Sequence, residues 1–281
     1  MSRYFTMLGL ALAIGVSFIS GFAIGVLPRE PAGALAPSAT VATPDVAASN
    51  EWGQHTPRSS AGHARDGQPL YGQLRTNVRT DFNASVDAPS VHETAYVDPS
   101  ANVAGHVAIG ARVYVAPFAS VRGDEGQPIH IGDQSNLQDG VVVHALATER
   151  EGSTVRDNTY EVDGQPYAVY VGEHVSLSHQ SSVHGPVRIE DHVFVGIQAL
   201  IFGAHIGEGV VVEPAATVIG VDVPAGRYVP AGSVVTSQQA ANELPTISDS
   251  YLFKDLNRDV VHVNTSLADA YSGRTPPAAH R

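Results

Sequence analysis

The chain contains no cysteine among its 281 residues. This absence excludes disulfide bonds and thiolate metal ligands, so any bound metal must be held by histidine or carboxylate side chains. Basic residues are also few, since 16 lysines and arginines stand against 28 aspartates and glutamates and give a formal charge of −12. A chain without basic clusters is poorly suited to binding phosphates, which argues against a nucleic-acid partner. The sequence does contain 13 histidines.

The N-terminal segment is apolar and carries no charge from Tyr4 to Pro28, directly after Arg3. A short positive region before an apolar run is typical of an export signal, and this run is also long enough to span a bilayer. Two alternatives therefore stay open for residues 1–28: a cleaved signal peptide or an uncleaved membrane anchor. Either one predicts an extracytoplasmic protein, secreted or tethered to a membrane through residues 4–28.

Composition divides the rest of the chain. Residues 29–76 are rich in Ala, Pro, Ser, Thr and Gly and predict a flexible linker. A repetitive segment over 77–236 predicts the catalytic domain, with an acidic loop at 145–168. Residues 237–281 predict a C-terminal helix and tail, because apolar residues lie three or four apart there. This helix is expected to begin at a cap formed by Ser248 or Asp249 and to end near Tyr271.

Aliphatic residues recur at every sixth position through the repetitive segment. Such a hexapeptide period predicts a parallel β-helix, in which each hexad forms one strand and the aliphatic side chain points inward. The expected fold class is an all-β solenoid with a C-terminal α-helix packed along it. Hexapeptide-repeat proteins, which this pattern resembles, form left-handed coils. The repeated aliphatic residues are Val91, Val97, Val103, Ile109, Val115, Val121, Ile131, Leu137, Val143, Val171, Leu177, Val183, Ile189, Val195, Ile201, Ile206, Val212, Val218, Val229 and Val235.

The hexads place two histidines in one column. Val183 begins a hexad on what we call face C of the solenoid. If the acidic loop at 145–168, an excursion from the repeat, is left out of the count, Val143 begins the face C hexad one coil below. His144 and His184 directly follow these residues, and Arg122 has the equivalent position one coil below His144. Since neighbouring coils lie about 4.8 Å apart, the two histidines are expected to be close enough to share one metal ion.

A third histidine, His179, belongs to the preceding face, which we call face B and which begins at Leu177. It therefore projects in a different direction from the His144–His184 pair. A three-fold axis would bring face B of one chain against face C of the next, so a homotrimer could complete the site. Three imidazoles that leave a fourth position open are typical of catalytic zinc. The spacing predicts a three-histidine metal site between subunits.

Four motifs carry a resemblance to a known family. Together they resemble the gamma-class carbonic anhydrases, of the archaeal prototype type that has an acidic loop, over roughly residues 77–271. The resemblance implies a metal-dependent carbonate dehydratase, a lyase that hydrates CO2 reversibly to bicarbonate and a proton through a metal-bound hydroxide. Zinc is the expected metal, with iron(II) or cobalt(II) as alternatives because three imidazoles suit all of them. The motifs are Arg122-Gly-Asp-Glu-Gly126, Ser135-Asn-Leu-Gln-Asp-Gly140, Val143-His-Ala-Leu146 and Ser176-Leu-Ser-His-Gln-Ser-Ser-Val-His-Gly-Pro186.

The resemblance also implies roles for individual residues in the reaction. Gln138 would hydrogen-bond and orient the hydroxide and contact the substrate. Glu125 would accept a proton and help to position CO2 or bicarbonate. Asn264, from the C-terminal helix, would help to position CO2. The implied metal ligands are His144, His179 and His184.

Other residues are implied at the interface between subunits. Arg122 would pair with a carboxylate there, either Asp124 or Asp139, and assist the departure of the product. The alternative, that Arg122 forms only an ion pair at the interface, stays open. Asn136 would support the local hydrogen-bond network.

The sequence departs from the prototype in the residues that carry protons to solvent. The prototype has a glutamate three residues after the first metal-binding histidine, and Ala147 stands at that position here. Glu149 and Glu151 lie nearby in the excursion and are candidates to replace it. His262, where the prototype has a tyrosine, is a third candidate because an imidazole titrates near neutral pH.

Two other functions remain alternatives. Many trimeric hexapeptide proteins are acyltransferases, but these use a single histidine as a base and do not require three. Some gamma-type proteins serve as scaffold subunits, but all three ligand positions are intact here. A tightly bound metal would distinguish the carbonate dehydratase from the acyltransferase.

Overall fold

The computed structural model of the chain describes residues 74–274. The predicted signal or anchor at 1–28, nearly all of the predicted linker at 29–76 and the tail beyond residue 274 lie outside the described residues. Within the described residues, no helix is both long enough and apolar enough to cross a membrane. The first strand, Leu74–Arg75, lies just before the predicted start of the repetitive domain at residue 77.

The hexads form a left-handed parallel β-helix of about eight coils, which confirms the expected fold class. Each coil adds one short strand to each of three parallel sheets, and these sheets are the three faces of the solenoid. Face A consists of Ser90–Val91, Val107–Ile109, Ile129–Ile131, Val169–Val171, Val187–Ile189, His205–Ile206 and Asp222–Val223. Face B consists of Tyr96–Val97, Tyr114–Val115, Asn136–Leu137, Ser176–Leu177, Phe194–Val195, Val211–Val212 and Tyr228–Val229. Face C consists of Leu74–Arg75, Asn102–Gly105, Ser120–Gly123, Val142–His144, Ser182–His184, Leu200–Phe202, Thr217–Ile219 and Val234–Val235.

The repeated aliphatic residues form the core. On face C, Val121, Val143 and Val183 lie in register on successive coils and have no exposed surface. Fully burying such a side chain stabilises the fold by about 1.5–3 kcal/mol. Because neighbouring residues of a strand point to opposite sides, the residue after each inward valine projects outward, which is how His144 and His184 reach the surface.

The excursion at 145–168 consists of two β-hairpins joined by a short 3-10 turn at Arg156–Asn158. Its first residues are anchored to the solenoid by Thr148, which is fully buried. The backbone amide and the hydroxyl of Thr148 both donate to the carbonyl oxygen of Glu125, at 2.8 and 2.7 Å. The excursion is therefore fixed where it leaves the solenoid. The paired strands are Glu149–Arg150 with Ser153–Thr154 and Tyr160–Val162 with Gln165–Tyr167.

The C-terminal region contains two helices, α1 (Gln238–Asn242) and α2 (Leu256–Tyr271). The predicted cap at Ser248 or Asp249 is wrong, because α2 begins later and follows Asp255, whose side chain makes no capping hydrogen bond. The segment before α2 is held in a non-helical path by contacts with the solenoid. Within it, the ring of Tyr251 stacks on that of Tyr228, with centroids 4.3 Å apart.

Helix α2 packs along face B, as predicted. The ring of Tyr271 stacks on that of Tyr96, with centroids 5.0 Å apart. Near the same end of the helix, Arg112 Nη2 donates to Asp269 at 2.7 Å, and Arg274 donates to the same carboxylate. These contacts fix the helix face that carries Asn264 against the solenoid.

Candidate metal centre

His144 and His184 lie side by side on face C. Their strands pair in parallel with His144 opposite His184, so the predicted column is confirmed. The two imidazole centroids are 4.3 Å apart and the ring planes meet at 66°. Arg122 lies in the same column one coil below, since Val121 pairs with Val143. Two imidazoles at this separation can converge on one small ligand or ion.

The hydrogen bonds around the two imidazoles leave ring nitrogens free. His184 uses Nδ1 for a 3.0 Å contact with the carbonyl oxygen of Gly185, and its Nε2 makes no hydrogen bond within residues 74–274. His144 Nδ1 lies 3.5 Å from Glu125 Oε1 without forming a hydrogen bond, and it is buried. Burial lowers the pKa of His144, and the neighbouring His184 and Arg122 lower it further. The neutral form favoured in this way is the one that binds metals.

Glu125 lies beside His144 in the bulge that follows the face C strand Ser120–Gly123. Its carboxylate accepts a 2.7 Å hydrogen bond from Arg122 Nη2, while Arg122 Nε donates to Asp124 at 3.4 Å. Glu125 is only 8% exposed, and its Oε2 is buried with no hydrogen-bond partner in the described part of the chain. Burial and the negative charge of Asp124 raise the pKa of Glu125 to about 8, although Arg122 opposes the rise. The site thus contains a carboxyl group able to bind or release a proton near neutral pH.

The second half of the predicted site lies on face B, around His179. Its Nδ1 is 3.0 Å from Asp139 Oδ2, and both side chains are about half exposed. A carboxylate that accepts from one ring nitrogen leaves the other free and fixes the orientation of the ring. Within one chain, Asp139 therefore contacts His179, whereas Arg122 contacts Asp124. Of the two carboxylates predicted to pair with Arg122, Asp124 is the one that contacts it within the same chain.

His179 borders a cavity of about 430 Å³ between face B and helix α2. Gln138 and Asp139 line its solenoid side, together with Tyr114. Asn264 lines its helix side and donates from Nδ2 to Val260 O at 2.9 Å. Three of the residues assigned to the reaction by resemblance, namely His179, Gln138 and Asn264, thus meet at one cavity.

A buried hydrogen-bond network holds Gln138. Its Nε2 donates to Asn136 Oδ1 at 3.0 Å. Asn136 is fully buried and donates from Nδ2 to Ser176 Oγ at 2.9 Å. Ser178 Oγ donates to Gln138 Oε1 at 3.1 Å. The side-chain amide of Gln138 is therefore fixed at both ends.

The three candidate proton carriers have different surroundings. Glu149 is half-buried in the first hairpin, and its side chain lies against Gly126: a Cβ atom added to Gly126 would be 2.9 Å from Glu149 Cγ. Glu151 is exposed at the turn of the same hairpin. His262 is exposed on helix α2 and does not line the cavity that contains Asn264. Glu149 thus lies against the bulge that contains Glu125.

The donor set fits a divalent metal ion, but the described residues of one chain do not complete it. Across residues 74–274, no three His, Asp, Glu or Cys side chains are placed to hold an ion. Face C supplies two imidazoles, and beside them His144 Nδ1 and Glu125 Oε2 are buried without hydrogen-bond partners. Buried polar atoms normally have a partner, so this part of face C has the unsatisfied polar atoms expected where another group binds.

Sequence reasoning missed two contacts at this site. The motif that contains Ser178 implies no role for its hydroxyl, and the resemblance implies only an interface role for Asp139. The hexad register could have identified Ser178, because Asn136–Leu137 pairs with Ser176–Leu177 and the next residues, Gln138 and Ser178, must then be neighbours.

Two sequence comparisons bear on the family of this chain. Residues 186–213 match the family model described as the hexapeptide repeat of succinyl-transferase. The chain is 51% identical over 202 residues to the carbonic anhydrase of Methanosarcina thermophila, covering 72% of this chain and 82% of that protein.

Other relatives match less of the chain. The carboxysome assembly protein CcmM of a Nostoc species is 38% identical over 68% of this chain, which spans only 33% of that protein. The mitochondrial gamma carbonic anhydrase 2 of Arabidopsis thaliana is 32% identical over 56% of this chain and 50% of its own length. A solved structure from Bacillus cereus, assigned to the acetyltransferases, covers 66% of this chain and 93% of its own with a TM-score of 0.52. At 18% identity this last likeness concerns the fold alone.

Proposed function

The chain belongs to the gamma-class carbonic anhydrase family, and we propose that it hydrates CO2 reversibly to bicarbonate and a proton at a metal centre shared by two subunits. The observation that carries the proposal is the pair of imidazoles, His144 and His184, held 4.3 Å apart beside Glu125. Family membership makes the chain a carbonate dehydratase. The location of the metal centre and the roles of the residues around it are the proposal.

His144 and His184 of one chain, with His179 of a neighbouring chain, would hold the metal. His179 projects from face B, so a subunit related by a three-fold axis is the simplest source of the third imidazole. Zinc suits this donor set, and iron(II) and cobalt(II) suit it equally. When bound, such an ion acts as a Lewis acid that lets a water molecule lose its proton near neutral pH.

The residues of the chain position the reactants and carry the proton. Gln138, fixed at both ends of its amide, orients the attacking oxygen and contacts the substrate. Asn264 faces the same cavity from helix α2 and positions CO2 there. Glu125 takes the proton, and its Oε2 is free of other hydrogen bonds to do so.

Arg122 is proposed to act at the edge of the site. It is bonded to Glu125 and Asp124 within the chain, and its side chain is 42% exposed. From there it can contact a carboxylate of the neighbouring chain, with Asp139 as the candidate, and can attract the bicarbonate product. Its positive charge also keeps the Glu125 carboxylate in a fixed place beside His144.

The protein is proposed to act outside the cytoplasm, because the apolar run at residues 4–28 is typical of an export signal or membrane anchor. Fractionation of cells that express the full chain, followed by N-terminal sequencing, would test this. We expect the protein in an extracytoplasmic or membrane fraction. Recovery of the intact chain from the cytosol would contradict the proposal.

The decisive experiment for the function combines metal analysis with a CO2 hydration assay. The full chain, purified without oxygen to preserve ferrous iron, is expected to contain one divalent ion per chain and to hydrate CO2 in stopped-flow measurements. Chelation should remove the ion and the activity together, and adding back zinc, cobalt(II) or iron(II) should restore both. A metal-free protein with full hydration activity would contradict the proposed centre.

A further inference from the structure

Ser178 contacts Gln138 across the gap between two coils. The strands Asn136–Leu137 and Ser176–Leu177 pair in parallel, so Ser178 lies one coil above Gln138 in the same outward column. The Ser178 hydroxyl donates to Gln138 Oε1 at 3.1 Å, and both side chains are buried, at 4% and 7% exposure. The resemblance to known proteins assigns Ser178 no role.

The direction of the Gln138 amide follows from a chain of donors and acceptors. The carbonyl oxygen of Val175 can only accept, and Asn136 Nδ2 lies 3.5 Å from it. Asn136 therefore turns its Oδ1 towards Gln138. Because this oxygen can only accept, Gln138 donates an N–H to it at 3.0 Å. This leaves Gln138 Oε1 facing Ser178, whose hydroxyl can donate to it.

These bonds use half of the hydrogen-bonding capacity of the Gln138 amide. A side-chain amide has two N–H donors and two acceptor lone pairs, and the network takes one of each. The remaining N–H and lone pair belong to a side chain that lines the cavity shared with His179 and Asn264. Asn136 and Ser178 thus determine where in that cavity Gln138 presents its free N–H and where it presents its free lone pair.

We infer that Ser178 is a positioning residue for the hydration reaction, because its hydroxyl holds the Gln138 amide in a single orientation. The inference rests on the proposed function of Gln138. Without the Ser178 hydroxyl, Oε1 loses its buried donor, and only the bond to Asn136 restrains the amide. Rotation of the amide would then exchange or displace the N–H and the lone pair at the site.

The test compares Ser178→Ala with Ser181→Ala. Ser181 is fully buried on the same coil, and its hydroxyl has no hydrogen-bond partner among the described residues, so its removal is a matched control. We expect Ser178→Ala to lower kcat/KM for CO2 hydration about tenfold with unchanged metal content, and Ser181→Ala to retain the wild-type value. Ser178→Thr, which keeps the hydroxyl, should restore activity, and Ser178→Cys, a weaker donor, should lie between.

A double-mutant cycle separates positioning from general damage to the fold. If Ser178 acts through Gln138, adding Ser178→Ala to Gln138→Ala should cause no further loss of kcat/KM. A further tenfold loss in the double variant would overturn the inference, as would equal activities of Ser178→Ala and Ser181→Ala.

Crystal structures give a readout that does not depend on activity. In Ser178→Ala we expect the Gln138 amide to leave the orientation that it has in the wild type and in Ser181→Ala. An amide that keeps both its position and its hydrogen-bond partners would contradict the positioning role even if the wild-type protein did not hydrate CO2. Absence of hydration by the metal-loaded wild type would instead contradict the proposed function.

Discussion

The imidazole rings of His144 and His184 have centroids 4.3 Å apart, and their planes meet at 66°. A second pair on neighbouring coils, His174 and His192, stacks at 5.0 Å with an angle of only 22°. The cavity beside the second pair is bordered by the cations Lys254 and Arg258, but among the described residues no carboxylate comparable to Glu125 lines it. His174 and His192 can therefore serve as control positions for the proposed metal ligands His144 and His184.

Replacing a proposed ligand by alanine should remove the metal. We expect His144→Ala, His184→Ala and His179→Ala each to lose most of the bound ion and nearly all hydration activity, because two imidazoles hold an ion poorly in a site built for three. His174→Ala and His192→Ala should keep both. Elemental analysis and stopped-flow hydration check each variant. Full metal content in any of the first three would mean that the ligand assignment is wrong.

The division of the site between two faces predicts complementation between defective chains. His179→Ala lacks the face B ligand, and His184→Ala lacks a face C ligand, so each alone should be inactive. If both are expressed together and assemble at random into trimers, about a quarter of the interfaces should contain an intact site. Hydration activity near that fraction of wild type is the expected result.

Two further outcomes would contradict the shared site. Activity that stays at the level of either single variant after co-expression would mean that each site lies within one chain. A protein that sediments as a monomer while binding one ion stoichiometrically would have the same meaning. The control is co-expression of two chains that both carry His184→Ala, which should remain inactive.

The proton-transfer prediction concerns Glu149 and Glu151. Each turnover of CO2 hydration releases a proton that must reach solvent. The prediction takes this release as the step that limits kcat and attack on CO2 as the step that sets kcat/KM. We expect Glu149→Ala to lower kcat several-fold in weak buffer, to leave kcat/KM nearly unchanged and to be rescued by added imidazole. Glu149 is the stronger candidate because its side chain lies against Gly126, next to Glu125.

The matched control for proton transfer is Glu161→Ala. Glu161 is an exposed glutamate in the second hairpin of the same excursion, and its removal should leave kcat unchanged. If Glu149→Ala and Glu151→Ala, singly and together, keep the wild-type kcat in weak buffer, the excursion has no shuttle role. His262→Ala is then the variant to measure.

The docking of helix α2 should depend on pH through Asp269. Burial alone would raise the pKa of Asp269, but hydrogen bonds and charge from Arg112 and Arg274 outweigh it and hold the pKa below its usual range. A carboxyl with a lowered folded-state pKa contributes stability above its unfolded value of about 3.9 and loses it as the pH falls through the folded value.

Asp269→Asn should therefore destabilise the protein at neutral pH by about 1–2 kcal/mol. The difference from wild type should shrink below about pH 4, as the wild-type carboxyl becomes protonated. Denaturant titrations at several pH values measure this difference. Asp259→Asn, on the exposed side of the same helix, should change stability by less than about 0.5 kcal/mol. Equal effects of the two substitutions at neutral pH would contradict the role of Asp269.

The column of His144, His184 and Arg122 could be predicted from sequence because the hexad period fixes both which residues face outward and which lie on neighbouring coils. The same reasoning placed His179 on a different face. Partners that depend on side-chain conformation could not be obtained in this way. The contact between Asp139 and His179, for example, depends on how two half-exposed side chains turn.

The excursion and the start of helix α2 were harder to predict for physical reasons. Two sharp turns, Glu151-Gly152 and Asp163-Gly164, have positive φ at both residues and close the hairpins. Asp-Gly is a known hairpin signal, so the second of these turns is within reach of sequence-based prediction. The start of α2 depends on a contact with the solenoid, since Tyr251 donates to Glu213 at 2.8 Å and holds its segment out of the helix.

The alternation of inward and outward residues on each strand has an evolutionary consequence. Val143 and Val183 maintain the coil, while His144 and His184, directly after them, contribute nothing to the aliphatic core. Selection can therefore act on the chemistry and on the architecture separately. A lineage that lost both imidazoles would still inherit an intact solenoid, so an enzyme of this design is a short mutational distance from a purely architectural protein.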